Sequence, residues 1–347
     1  MLIRLALSLL ALWPACAQAQ SWATRAACSV QAARVAPHVL DETRLTALRS
    51  RAAAIPNSEG RFWRIQSPDG AVSHLWGSYA SNHPLILALP PIVEDRISAA
   101  RVIAVDSDFT APSRAAFERR LSPGLLIRNT PVPLSESGVH PRAAAWARSR
   151  IEGLGLGAEA ADWLTHGGLA ELLMRHPCED FAAGVIPVQT QRIQTLGLIG
   201  GAEVLSLEPP EALSAALDAP EQEEAARAVL NLLAAQVQPQ PDAAFRAARF
   251  ALYQAGAIGT LMEWEHVTLA QAYGAAQARG DLALARGFLL GQRNAAFVKR
   301  ALPDLRKGGV FLSLEAFHLP GETGMIELLR QNGFTISRIP LTGEPAS

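Results

Sequence analysis

The chain has 347 residues, 49% hydrophobic and 18% charged, with a formal net charge of −1. That is ample apolar material for a sizeable core, and the near-neutral balance without a long basic run removes any electrostatic case for nucleic-acid binding. Alanine and leucine are abundant and aromatics make up only 6%, so helix is expected to outweigh strand.

The N-terminus reads as a targeting segment. Arg4 supplies positive charge, Leu5 to Trp13 an apolar core, and Ala17-Gln18-Ala19 a small-x-small cleavage site. The expectation is a signal peptide over residues 1–19 and export to the periplasm, with residues 20–347 as a single α/β domain. Leu12-Trp13-Pro14-Ala15 is a poor lipidation box for Cys16. No later stretch is long and apolar enough to span a bilayer, so no stable membrane insertion is expected after cleavage.

Leu45, Leu48, Ala52 and Ile55 mark one face of a helix that Pro56-Asn57 ends. Arg61 to Gln66 and Val72 to Gly77 read as two strands joined through Ser67-Pro68-Asp69-Gly70, a hairpin signal. The second strand runs through Gly77-Ser78-Tyr79-Ala80 toward His83 and Leu89-Pro90-Pro91. A helix over Ile92 to Ala100 and a strand over Val102 to Val105 follow, ending at Asp106 and Asp108. Strand alternation would point those two aspartates the same way.

The middle of the chain is helical. Helices are predicted over Asp162 to Met174, Thr190 to Leu196, Glu221 to Val237 and Asp242 to Ile258. A strand over Ala202 to Leu207 ends at Glu208. Asp281 to Lys307 is the longest helical stretch, with a break expected at Pro303. Near the C-terminus, Val310 to Leu314 is a continuous apolar run suited to a strand buried on both faces. Glu315 and His318 stand at its exit. Met325, Ile326 and Leu329 then fall at helical spacing, Gly333 stops that helix, and Phe334 to Ile339 is a last strand.

Two of these stretches form a weak internal repeat of strand, loop, helix and strand, and they carry a resemblance. His318-Leu319-Pro320-Gly321, with Gly324 and Leu328-Leu329 behind it, resembles the C-terminal signature of the TraB/GumN family, relatives of PrgY and the Tiki proteins. Gly77-Ser78, Leu89-Pro90-Pro91 and Asp106 resemble its first signature, Leu207-Glu208 its central segment, and Arg293-Asn294 its Arg-Asn helix. The similarity runs from about Cys28 to Ile339. Three positions depart from the pattern: Ala80 stands where the family has histidine, Glu315 where it has glycine, and Thr190 where it has aspartate.

The resemblance implies a mixed α/β sheet built from the two units, with helices of the middle segment covering it. It also implies metal-dependent hydrolysis, proposed for the Tiki members as peptide cleavage. Histidines and carboxylates at strand ends can hold a divalent cation and leave a position for water. Here the carried-over catalytic set is His318, Glu208 and Arg293, and the metal set is His318 and Glu208 with Asp106 or Asp108. Gly77 would let the backbone turn sharply beside the site. His83 would stand in for the lost histidine, and Glu315 would either add a ligand or fill the space. Arg293 would clamp a carboxylate, the substrate's or that of Glu208. Cys28 and Cys178 are either two unrelated thiols or a disulfide. The family's N-terminal cysteine and Pro-Cys-Glu, here Pro177-Cys178-Glu179, imply the bridge.

Competing motifs are weak. Glu263-Trp264-Glu265-His266 lacks the second histidine of a zincin. Gly153-Leu154-Gly155-Leu156-Gly157 follows no buried strand, and no Gly-x-Ser-x-Gly elbow occurs. Two functions stay open. One is a catalytically impaired relative that binds a peptide or small ligand in the old cleft, with no cofactor. The other is an active hydrolase with a remodelled site and a divalent metal. Losing one histidine from a small ligand set weakens metal binding and favours the first.

Overall fold

The predicted hairpin forms around Ser67, whose hydroxyl accepts the Ala71 N–H at 3.0 Å and whose carbonyl accepts that of Gly70 at 2.9 Å. It joins β1 (Phe62–Gln66) to β2 (Val72–Ser78) in an antiparallel pair. The computed structural model describes residues 25–108, 126–182 and 186–345, so the leader expected over residues 1–19 lies outside the described residues.

The remaining strands are β3 (Val102–Val105), β4 (Glu203–Ser206), β5 (Val310–Glu315) and β6 (Thr335–Arg338). They complete one six-stranded mixed sheet in the order β4-β3-β5-β2-β1-β6. The two repeat units interlock: β5 of the second unit lies between β2 and β3 of the first, parallel to both. With β3 parallel to β4, four neighbouring strands point the same way and end along one edge. Ser78 is level with Glu315, and Val105 with Ser313 and Ser206. That edge is where an open α/β sheet holds its ligands.

Strand alternation divides the core. Leu75, Ala104, Leu312 and Leu314 face one side and pack on the helices Arg293–Lys307 and Met325–Gln331. Trp76, Ile103, Val105 and Phe311 face the other and pack on Pro91–Ser98 and Gln189–Ile199. Gly197 permits the second contact, because a Cβ there would stand 2.1 Å from Ile103 Cγ1.

Of the middle-segment helices, Gln189–Ile199 covers the sheet as expected. Pro141–Gly153, His166–Met174, Glu223–Gln236 and Ala275–Arg286 instead share a core of their own. The stretch predicted as Asp242 to Ile258 forms the helix Ala244–Gln254 and stops short at Gly256, whose φ is 68°; a further helix that the sequence reading did not expect, Ile258–Tyr273, follows. The break expected at Pro303 does not occur. That helix runs on to Lys307, because its buried face, Phe297, Val298, Ala301 and Leu305, holds it on the sheet past one missing N–H. The irregularity lies upstream, a π-helical turn over Gly287–Gln292 just before Arg293. Among the described residues, no helix is long and apolar enough to cross a membrane.

Cys28 and Cys178 are joined in a disulfide with Cα atoms 5.3 Å apart. It ties the segment ahead of the first long helix to the 3₁₀ turn Pro177–Ala182.

Candidate functional site

The parallel strand ends and the separate helical core enclose a cavity of about 430 Å³. Ala80, Asp106, Glu208, Arg293, Glu315 and His318 line its sheet side. Residues from five elements distant in sequence thus meet at one edge, because the interlocked topology brings their strand and helix ends there. Tyr79 and Phe317 also line the cavity without filling it.

Each of these side chains has a defined setting. Arg293 grips Glu208 through two parallel contacts, Nε to Oε2 at 3.2 Å and Nη2 to Oε1, and its guanidinium lies 5.1 Å from the Phe297 ring centre. This is the Glu208 alternative of the two clamps expected for Arg293.

His318 is buried in the turn Ala316–His318. Asn294 settles its tautomer. The Asn294 amide nitrogen donates to the carbonyls of His318 (3.2 Å) and Thr323 (2.9 Å), so its oxygen is the acceptor for His318 Nδ1–H at 2.6 Å. The Nε2 lone pair is then the ring's free acceptor. Burial, followed by the nearby Arg293 charge, holds the imidazole well below its ordinary pKa, so the ring is neutral.

Asp106 and Glu315 leave adjacent strands. Burial raises the Asp106 pKa despite Arg293, and its Oδ1 is buried with no hydrogen-bond partner. Glu315 opens onto the cavity while protein surrounds it. Burial and then the Asp106 charge push its carboxyl up to about 7.

Three expected site residues lie elsewhere. Asp108 does not share the cavity with Asp106: its Oδ1 accepts from the Gln194 side chain. The strand ends at Val105, so alternation no longer governs either aspartate. His83 caps the short helix Pro84–Leu87, accepting the Leu85 N–H at 3.3 Å, and packs against Phe250. It does not line the cavity and does not occupy the place of a histidine at position 80. Gly77 does not line it either and makes no sharp turn, for it lies within β2. Its lack of a side chain serves packing: a Cβ would stand 3.1 Å from the Ala316 backbone and 3.0 Å from Leu319. Thr190 is buried and bonds the Ser78 hydroxyl at 2.9 Å, an uncharged contact where the resembled pattern has a carboxylate.

Other cavity residues escaped the sequence reading. Glu179, beside Cys178, accepts the Ser81 hydroxyl at 2.5 Å and pairs with Arg246. Glu265 accepts from Gln236 and lies 3.6 Å from Arg286. Arg249, one turn after Arg246, donates Nε–H to the Tyr79 hydroxyl at 3.2 Å. The signal was present: Arg246, Arg249, Phe250 and Tyr253 share the spacing of one helix face. Arginines on an otherwise apolar face mark paired or ligand-facing charges.

Glu208 is clamped, His318 supplies one nitrogen, and among the described residues no three His, Cys, Asp or Glu side chains come together at metal-holding spacing. Compared with known proteins, residues 61–338 match the model of the TraB/PrgY/gumN family. No curated protein and no solved structure matches the chain.

Proposed function

The chain belongs to the TraB/PrgY/gumN family, and from that premise we propose that it is an exported, catalytically impaired member that binds a peptide or small ligand in the cavity at the strand ends. The observation that carries this reading is a cavity of ligand size in which Glu208, one of the expected metal donors, is already clamped by Arg293. About 430 Å³ is within the usual range of small-molecule sites. Glu208 is neutralised by Arg293, and His318 Nδ1 is committed to Asn294. The disulfide is compatible with an oxidising compartment such as the periplasm.

One observation favours the alternative, an active hydrolase with a remodelled site. Asp106 and Glu315 leave adjacent strands, and the Glu315 carboxyl, pushed up to about 7, suits a group that gives and takes a proton near neutrality.

The two readings separate in a calorimetric titration with Zn²⁺ and Mn²⁺. Ala80 and Glu315 both line the cavity. Ala80→His adds an imidazole at one strand exit, and Glu315→Gly removes bulk and charge at the neighbouring one. Wild type is expected to bind weakly or not at all, each single variant little better, and the double variant measurably. Neighbouring ligands act together, so the double should exceed the sum of the singles. Tight binding by wild type would overturn the proposal and favour the remodelled hydrolase.

A further inference from the structure

Three of the arginines that line the cavity are paired with carboxylates. Arg246 pairs with Glu179, Arg293 with Glu208, and Arg286 with Glu265. Arg249 has no carboxylate at ion-pair distance among the described residues. Its Nε–H goes to the Tyr79 hydroxyl, which fixes the plane of the guanidinium. Glu265 is near enough to attract it but is engaged with Gln236 and Arg286. The guanidinium stays charged at any working pH, and its terminal N–H groups are left beside the cavity that it lines.

An enclosed cation with free, coplanar donors is costly to leave unanswered, and the group that answers it best is a carboxylate, which accepts two parallel N–H bonds. The cavity's other wall defines what accompanies that group. Leu173, Leu217, Val229 and Leu233 reach it from the separate helical core, and Phe245 and Phe250 from the helix that carries Arg249. We propose that the cavity takes a ligand with one carboxylate and an apolar body, the carboxylate seated on Arg249 and the body against this apolar wall. The inference rests on the ligand-binding reading above and specifies its chemistry. A fatty acyl chain and the hydrophobic C-terminal end of a short peptide share that chemistry.

Matched probes distinguish these sources: octanoate against octanamide, and N-acetyl-Leu-Leu against its C-terminal amide, titrated calorimetrically into the mature chain. In at least one pair the acid is expected to bind roughly 10- to 100-fold more tightly than the neutral compound, the scale of a charge-assisted contact. The pair that shows the preference identifies the source. Arg249→Gln should abolish the preference. Arg249→Lys, which keeps the charge without the fork, should retain part of it. Melting curves of both variants verify folding, and the comparison within wild type needs no variant. Equal binding of acid and neutral compound would overturn the carboxylate assignment while leaving the cavity reading intact. A preference that survives in Arg249→Gln would overturn the role of Arg249. Binding of none of the four probes would count against both readings.

Discussion

Replacing Cys28 and Cys178 together by alanine is expected to lower stability by about 2–5 kcal/mol. The two residues are 150 apart in sequence, so the bridge removes a large closure entropy from the unfolded chain. The native state also depends on it locally. Next to Cys178, Glu179 bonds the Ser81 hydroxyl, the Asn82 backbone N–H at 3.3 Å and Arg246, which joins the chain after β2 to the helix bearing Arg249. Urea unfolding of wild type and variant measures the loss, and hydrogen exchange at residues 79–83 should rise beyond the global change. An unchanged midpoint would mean that the tie contributes nothing to the folded protein.

Asn294→Ala is expected to cost about 3–5 kcal/mol. One side chain satisfies two buried groups, the ring N–H and the carbonyl of His318, and bonds the more exposed Thr323 carbonyl, and it is itself fully buried. Truncation leaves the two buried groups without a partner. Nitrogen-resolved spectra of wild type should show a neutral His318 ring protonated at Nδ1 and still uncharged at pH 6, because burial and Arg293 depress its pKa. The sign of the linkage follows. Below about pH 6.5 the unfolded chain binds a proton that the folded site refuses, so this residue lowers stability as pH falls. An imidazolium signal from His318 at pH 6 would contradict the assignment.

The sheet was legible because its strands are short apolar runs that end in turn residues or charges. Val102 to Val105 and Val310 to Leu314 were placed correctly by that pattern, and the Ser67 hairpin by its turn chemistry. The convergence of Asp106, Glu208, Glu315 and His318 followed from the same reasoning, since each sits at or just past a parallel strand's end. Two kinds of information were not local. Orientation beyond a strand's end depends on the loop, so Asp108 and His83 were assigned to a cavity that they do not line. The opposite wall is made by helices whose arginines find partners far away in sequence. Arg246 with Glu179 and Arg286 with Glu265 are tertiary facts that helical periodicity cannot supply. Gly77 was expected to serve a turn and instead makes room for Ala316, a contact invisible without the neighbouring strand.

The central claim, that the strand-end cavity holds an organic ligand and not a catalytic metal, is tested most directly by metal analysis of the purified protein before and after chelation, with a melting curve at each stage. The account predicts well under one equivalent of any divalent transition metal and an unchanged melting temperature after chelator treatment. One equivalent of bound metal, released by the chelator with a clear fall in melting temperature, would contradict it, since a ligand that binds the folded state stabilises it by mass action.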